Sequence, residues 1–305
     1  MKCDRSQAPY LDALACYRDV GYTSFATPGH KRGKGAPDNM REVLGREVLL
    51  VDAARAGGVE DTRESTGLIR VAEHLASEAY GADQAWFLVN GSTSGVHALV
   101  VSLAGPGDCL IMPRNSHKSM LAALILSGAM PHYVEPAILS EWRIPLAATA
   151  DRVTQAIREH PDAKAVFMTS PTMYGICADC SGMADVAHEA GVPFVVDQAW
   201  GPHLRFCPEL PSDAMEANAD ACVTSIHKLI SGITQASLLL ARHRRIDLRR
   251  LASVALMTQT TSPQALIYAS IDAARQQMVI HGRELWRGAI DHANWAPTAT
   301  RKMPA

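Results

Sequence analysis

The chain has 305 residues, of which 48% are hydrophobic, which is enough to bury the core of one large α/β domain with or without a short appendage. Its formal net charge of -2 excludes a global field that would favour nucleic acid or an anionic membrane, so any anion site must be local. No apolar run approaches the roughly 20 residues that span a bilayer, no signal-peptide pattern is present, and seven cysteines suit reduced thiols. These features predict a cytoplasmic small-molecule enzyme.

Residues 1–50 are predicted to form a mixed N-terminal segment, which contains a glycine-rich basic loop at 27–35. Beyond this segment, short apolar runs alternate with stretches of helical period. The predicted strands are the runs at 85–89, 109–112, 165–168, 193–196, 221–224 and 237–240. The predicted helices are 94–103, 118–126, 151–159, 182–189 and a helix-rich stretch from 246 to about 290.

Continuous apolar runs of four or five residues are typical of strands that are covered on both faces. Alternation of such strands with helices predicts an α/β fold with a mostly parallel sheet in a three-layer αβα arrangement. This large domain is expected to cover residues 51–293, and residues 294–305 are expected to form an unstructured tail.

The segment Asn90–Gly95 follows one predicted strand directly and precedes a predicted helix. Glycines there allow the backbone to approach an anion, and the free N–H groups of a helix N-terminus favour negative charge. The segment is neither a P-loop nor a dinucleotide fingerprint, because the required lysine and glycine spacings are absent. Taken alone, it is more simply explained as a serine- and threonine-capped helix that binds no ligand.

Two further polar residues follow predicted strands. Asp197 ends the run at 193–196, at the edge where doubly wound sheets place their ligands. An acid there can hold a pyridine nitrogen protonated, coordinate magnesium or cap a helix. Lys228 follows the run at 221–224. A lysine with a lowered pKa can form a Schiff base, although most lysines are solvated and have no catalytic role. The order of the segment Asn90–Gly95, Asp197 and Lys228 along the chain favours one ligand site to which all three contribute.

In this order the residues resemble the bacterial Orn/Lys/Arg decarboxylases, over roughly residues 20 to 290. The blocks that carry the resemblance are Thr27-Pro-Gly-His-Lys31, Asn90-Gly-Ser-Thr-Ser94, Arg114-Asn-Ser-His-Lys-Ser119, Ser170-Pro-Thr-Met-Tyr-Gly175, Val196-Asp-Gln-Ala-Trp-Gly201, Ser225-Ile-His-Lys228 and Thr261-Ser-Pro263. Where many members have Asp-Glu-Ala-His, this chain has Asp197-Gln198-Ala199-Trp200, which we interpret as variation within the family.

The resemblance implies the large domain of a fold type I enzyme that binds pyridoxal 5'-phosphate (PLP). Lys228 would hold PLP as a Schiff base and later handle protons, Asp197 would pair with the pyridine nitrogen, and His117 would stack on the ring. The phosphate would be bound by Thr93, Ser94, Ser225 and His227, and Ser92 would be a further cofactor-binding residue. Ala199 and Trp200 would line the ring opposite His117.

The implied reaction is decarboxylation of lysine, ornithine or arginine to the corresponding amine. The resemblance also implies a homodimer or higher homo-oligomer, in which Thr261 or Ser262 would act across the interface. The basic loop contains His30, Lys31, Arg32 and Lys34, and four basic residues are too few for a nucleic-acid surface. The resemblance places such a loop near the active-site entrance and the dimer contact. No metal site is expected, and Cys177 and Cys180 are interpreted as loop residues, because neither a second ligand pair nor a thioredoxin-like context is visible.

Members of the family continue into a smaller C-terminal domain that this chain is expected to lack. PLP binding is expected to survive, because its residues precede 263, whereas decarboxylase activity is left open. An apolar face normally covered by that domain would favour oligomerisation. The alternatives are a non-catalytic PLP-binding homologue and another fold type I enzyme, such as an aminotransferase, lyase or aldolase.

Overall fold

The computed structural model describes residues 4–21, 23–53 and 67–300. Its helices are α1 (Pro9–Asp19), α2 (Asp38–Leu44), α3 (Arg46–Val51), α4 (Leu68–Tyr80), α5 (Gly91–Leu103), α6 (Lys118–Ser127), α7 (Ala150–Glu159), α8 (Cys180–Glu189), α9 (Ile226–Leu229), α10 (Leu248–Met257) and α11 (Ala265–Thr300). Its strands are β1 (Gln84–Leu88), β2 (Cys109–Pro113), β3 (Met130–Val134), β4 (Ile138–Leu139), β5 (Ile144–Pro145), β6 (Ala165–Thr169), β7 (Phe194–Asp197), β8 (Ala221–Ser225) and β9 (Ser237–Ala241).

Seven strands form one sheet in the order β1-β9-β8-β7-β6-β2-β3, and β4 pairs with β5 in a separate hairpin. β9 runs antiparallel to both of its neighbours, and the other pairings in the sheet are parallel. The mostly parallel sheet is therefore confirmed. As a result, the carboxyl ends of β1, β8, β7, β6 and β2 lie along the same edge of the sheet.

Both faces of the sheet are covered, as the apolar runs predict. In β1, Ala85 and Phe87 belong to an apolar cluster shared with α1, α4, α7, α8 and α11. Their neighbours Trp86 and Leu88 belong to a second cluster shared with α5, α6 and α10. Because successive strand residues point to opposite faces, these two clusters lie on the two sides of the sheet. The three-layer αβα fold is confirmed.

Several elements differ from the sequence prediction, which lacks α2, α3, α4, α9, β3, β4 and β5. β3 was not predicted, because it is an outer strand that pairs only with β2, and its partly buried Met-Pro-His-Tyr-Val sequence lacks an apolar run. The unstructured tail is wrong for residues 294–300, which continue α11. A helix that is already formed against the core adds residues at little cost, so polar composition alone does not end it. Residues 301–305 lie outside the described part of the chain.

The N-terminal helix is anchored to α11 through a buried ion pair. Arg275 contacts Asp272 at 2.7 Å, and both side chains are fully buried. The second Asp272 oxygen accepts the Tyr10 N–H at 2.9 Å, and Arg275 donates to the carbonyls of Arg5 and Gln7. These partners satisfy charges that would otherwise destabilise the interior. The N-terminal segment thus packs on the same core as the sheet.

The basic loop at 27–35 uses its charges to hold its own conformation. Lys31 Nζ donates to the Ala26 carbonyl at 2.7 Å, and the Arg32 guanidinium donates to the carbonyls of Val20 and Arg18. His30 Nε2 lies 3.2 Å from the Asp52 carboxylate. These contacts connect the loop to α1 and α3. In the part of the chain that the structure describes, no helix is long and apolar enough to cross a bilayer.

Glu73 is a buried carboxyl group on α4 whose Oε1 accepts the Phe87 N–H at 3.0 Å. Burial raises its pKa from 4.5 to about 7. Between these two values the folded chain binds the proton more tightly than the unfolded chain does. The free energy of unfolding should therefore fall as pH rises through this range, by roughly 1.4 kcal/mol for each unit of pKa difference.

Glu73→Gln keeps the acceptor for Phe87 and removes the titration. We expect the variant to gain stability relative to wild type as pH rises from about 5 to about 8, as measured by urea unfolding. Glu284→Gln, which makes the same chemical change at an exposed position of α11, is the control. A stability difference for Glu73→Gln that is constant across this pH range would contradict the expectation.

Candidate active site

A cleft of about 690 Å³ opens at the sheet edge where the parallel strands end. Its lining comes from segments that follow β1, β2, β6, β7 and β8, together with Thr234 and Gln235, which precede the antiparallel β9. Open α/β sheets bind their ligands at this edge. The cleft contains most of the residues that the sequence nominates: Ser92, Thr93, His117, Asp197, Ala199, Trp200, Ser225, His227 and Lys228.

A cluster of three hydroxyl groups lies where α5 meets β8 and β9. The Ser92 Oγ is 2.7 Å from the Ser225 Oγ and 3.2 Å from the Ser237 Oγ. Ser225 and Ser237 are buried at the ends of β8 and β9, and Ser92 lies in the first turn of α5. The cluster therefore joins the sheet to the start of the helix. Hydroxyl donors beside a helix N-terminus favour an anion. Sequence reasoning missed Ser237, because it stands at the beginning of an apolar run that predicted only a strand.

The turn before α5 depends on two glycines. Gly91 has φ +69°, a conformation that favours glycine, and its N–H donates to the Gln235 carbonyl at 3.1 Å. A Cβ on Gly95 would lie 2.6 Å from Val223 and 2.7 Å from Leu88, so only glycine lets α5 pack this close to the sheet. The helix start is thereby held directly above the ends of β1 and β8.

Ser94 does not reach the cleft. Its side chain is 2% exposed, and its hydroxyl donates to the Gly91 carbonyl at 2.9 Å. Thr93, by contrast, is exposed and lines the cleft. Successive helical residues point about 100° apart, so a run of three hydroxyl residues cannot present all of its side chains to one ligand. The predicted role of the Ser94 side chain in phosphate binding is therefore corrected.

Asp197 ends β7 in a turn that its own carboxylate stabilises, because Oδ1 accepts the Ala199 N–H at 3.1 Å. The next residue, Gln198, is buried and uses both ends of its amide. Its Nε2 donates to the Gly201 carbonyl at 3.1 Å, and its Oε1 accepts the Ala214 N–H. Burial raises the pKa of Asp197, while the Ala199 N–H and the charge of Lys228 act in the opposite direction.

Lys228 lies on the short helix α9, immediately after β8. Its Nζ is 4.3 Å from the centroid of the Trp200 ring, within the range of a cation–π contact. Burial lowers the pKa of Lys228, and the nearby Asp197 carboxylate partly offsets this effect. A lowered pKa increases the fraction of neutral amine, which is the nucleophilic form.

The two histidines of the cleft use their Nδ1 atoms in opposite ways. His117 caps α6, where its Nδ1 accepts the Ser119 N–H at 3.2 Å, so its proton resides on Nε2. His227 places Nδ1 2.9 Å from the Ala236 carbonyl, which can only accept, so its proton resides on Nδ1. In both residues Nε2 is left for another partner.

The loop after β6 also contributes to the cleft, through Thr172, Met173 and Tyr174, which received no role from the sequence. The same loop carries Cys177, whereas Cys180 is the first residue of α8, which corrects its interpretation as a loop residue. Burial raises the pKa of both thiols, that of Cys180 to about 11, which disfavours reactive thiolates. Within residues 4–21, 23–53 and 67–300, no group of His, Cys, Asp and Glu side chains has the arrangement of a metal site.

Three other features that the sequence predicts to be functional do not line the cleft: Thr261, Ser262 and the basic loop at 27–35. Thr261 and Ser262 are exposed, and neither lines the cleft of its own chain. The basic loop at 27–35 contributes no lining residue to this cleft either, and its expected position at the entrance stays a prediction. Roles for these residues across a dimer interface stay predictions.

Comparison with known proteins identifies related sequences along nearly the whole chain. The family model described as Orn/Lys/Arg decarboxylase, major domain, matches residues 8–303. The arginine decarboxylase of Bacillus subtilis is 38% identical over 288 residues, which cover 94% of this chain and 59% of the relative. The arginine decarboxylase of Halalkalibacterium halodurans is 36% identical, with coverage of 96% of this chain and 60% of the relative.

Among solved structures, lysine decarboxylase A from Pseudomonas aeruginosa matches with a TM-score of 0.81 at 25% identity. The match covers 93% of this chain and 42% of that chain. This chain thus spans about 60% of the length of the two curated relatives that it matches.

Proposed function

Because the chain belongs to the Orn/Lys/Arg decarboxylase family, we propose that its cleft binds PLP and removes the carboxylate of a basic amino acid. The observation that carries the proposal is that a half-buried lysine, a carboxylate and a hydroxyl-lined helix start share one cleft. These three groups fit the three parts of PLP that a protein can hold, which are its aldehyde, its pyridine nitrogen and its phosphate.

The phosphate end fits the start of α5. Ser92, Ser225 and Ser237 form a connected hydroxyl cluster there, and the N–H groups of Ser92 and Thr93 have no intrahelical partner at a helix start. The helix dipole adds a favourable interaction with negative charge. His227 supports the same end, because its Nδ1 bond to Ala236 fixes the ring at the cleft.

The ring end fits the carboxylate of Asp197. A buried carboxylate with a raised pKa is stabilised by a cationic partner, and a protonated pyridine nitrogen is such a partner. In this proposal Asp197 keeps the proton on that nitrogen. Ala199, Trp200 and His117 all line the cleft, where Ala199 and Trp200 would contact one side of the ring and His117 the other.

Lys228 holds the aldehyde end, since its lowered pKa favours the neutral amine. When bound, PLP supplies an electron-accepting ring for the electron pair left on the substrate α-carbon after loss of CO₂. Lys228 would hold the aldehyde group of PLP and, in its protonated ammonium form, would donate a proton to that carbon. The side chains of the cleft orient the scissile bond and exclude water from it.

Arginine is the first substrate to test, because two curated relatives, at 38% and 36% identity, are named arginine decarboxylases. Lysine and ornithine follow, because more distant relatives are named lysine and ornithine decarboxylases. A homodimer or higher oligomer and a cytoplasmic location are part of the same proposal. The amine product would be agmatine, cadaverine or putrescine respectively.

The test begins with purified protein and added PLP. We expect the visible absorbance band of a lysine-bound cofactor, and we expect borohydride to fix the cofactor on the peptide that contains Lys228, as identified by mass spectrometry. Release of CO₂ from carboxyl-labelled arginine, lysine or ornithine then tests the reaction. A band without CO₂ release would support a non-catalytic PLP-binding protein, and no band would contradict the cofactor site.

A further inference from the structure

β1 is an outer strand of the sheet, and side chains cover part of its free edge. Gln259 Oε1 accepts the Val89 N–H at 2.8 Å, and Gln259 Nε2 donates to the Phe87 carbonyl at 3.5 Å. One side-chain amide therefore presents both the acceptor and the donor that another strand would offer at this edge. Gln259 thus fixes the end of β1 that leads directly into the turn before α5.

Asn90 stands at the N-cap position of α5 without capping the helix. Asparagine is a preferred N-cap residue, because its side-chain oxygen normally accepts an N–H of the first helical turn. Here no side-chain cap bond forms, and Asn90 Oδ1 instead accepts the Thr260 N–H at 3.0 Å. The segment that contains Gln259 therefore occupies the oxygen that would otherwise compete with a ligand for the helix N–H groups.

The backbone N–H groups in the first turn of α5 consequently differ in their hydrogen-bond partners. The Gly91 N–H donates to the Gln235 carbonyl, whereas Ser92 and Thr93, whose N–H groups lack intrahelical partners, line the cleft. If the contact with Thr260 were lost, Asn90 would be free to cap these two N–H groups. The Asn90 side chain would then accept hydrogen bonds from these N–H groups, which would no longer be available as donors to an anion.

We propose that the segment Thr258–Thr260 is a positioning element that keeps the helix start of α5 open for the cofactor phosphate. Gln259 aligns the end of β1, Thr260 restrains the Asn90 side chain, and the Thr258 hydroxyl reaches the Ser94 carbonyl at 3.4 Å. None of the three is predicted to touch PLP. The inference rests on the proposed function for the identity of the anion.

The test compares PLP with pyridoxal, which has the same ring and aldehyde but no phosphate. In Gln259→Leu, which removes both amide contacts at similar volume, we expect PLP affinity to fall about tenfold and pyridoxal affinity to stay unchanged. Gln264→Leu, the same substitution at an exposed position in the same connection, should leave both affinities unchanged. Equal losses for both ligands in Gln259→Leu, or no loss, would overturn the proposal.

Amide hydrogen exchange without ligand keeps this inference separate from the proposed function. If Gln259 restrains the turn, the peptide that contains residues 88–94 should exchange faster in Gln259→Leu than in wild type and Gln264→Leu. Faster exchange together with no PLP binding by wild type would contradict the cofactor and support the restraint. Unchanged exchange would overturn the restraint whether or not PLP binds.

Discussion

Lys228→Ala is expected to abolish covalent retention of PLP and to reduce decarboxylation by at least about 10²–10⁴-fold, the contribution typical of one positioned proton-transfer group. The reason is that Lys228 has two proposed roles, as the amine that holds the cofactor and as the proton donor to the substrate. Its position supports both, since it follows β8, is half-buried, and lies over the Trp200 ring.

The measurement for Lys228→Ala is the absorbance spectrum with PLP before and after borohydride, followed by the CO₂ assay. Lys118→Ala is the matched control, because Lys118 lines the same cleft but is exposed at the start of α6. We expect that variant to keep the borohydride-fixed cofactor. Circular dichroism establishes that both variants are folded. Retention of covalent cofactor by folded Lys228→Ala would show that another lysine holds it, and the proposed mechanism would be wrong.

The sheet and the outline of the site were predictable because they depend on local patterns. Asp197 and Lys228 each end or directly follow an apolar run, and the turn at Asn90 also follows one. In a parallel sheet these positions share one edge, so the sequence order alone brings the three features together. Helix boundaries were predictable to within a few residues where capping or glycine signals were strong.

The details of the site depend on contacts that the sequence does not display. Ser237 joins the hydroxyl cluster across 145 residues of chain, and Gln259 reaches Val89 across 170 residues. Neither position carries a local signal, since one reads as the start of an apolar strand and the other as a residue between two helices. Ser94 fails for the opposite reason: its local signal is strong, but helical rotation turns its hydroxyl away from the cleft.

Gln198 illustrates why variation from the family pattern need not weaken the site. The resemblance to the family leads one to expect Asp-Glu-Ala-His at this turn, whereas this chain has glutamine and tryptophan at the second and fourth positions. The glutamine amide donates to Gly201 and accepts from Ala214, so it joins the two sides of the turn that carries Asp197. The tryptophan places its ring against Lys228. Both departures therefore have structural partners within the site.

Asp197→Asn is expected to retain covalent PLP on Lys228 but to lose about 10²–10³-fold in the rate of CO₂ release, the range typical of removing one preorganised electrostatic group. Asparagine has nearly the same shape as aspartate, and its oxygen can still accept the Ala199 N–H, so the turn after β7 should persist. What disappears is the negative charge that, in the proposed function, keeps the pyridine nitrogen protonated. Without that proton the ring accepts electrons less readily.

A single-turnover assay with arginine, run on protein preloaded with PLP, separates this loss from weaker cofactor binding. Asp185→Asn, the same change at an exposed position of α8, is the control and should match wild type. Asp197→Ala should lose more than Asp197→Asn, because it also removes the acceptor that holds the Ala199 N–H. An unchanged rate in Asp197→Asn would mean that the carboxylate does not face the pyridine nitrogen, and the orientation of PLP proposed for this cleft would have to be reversed.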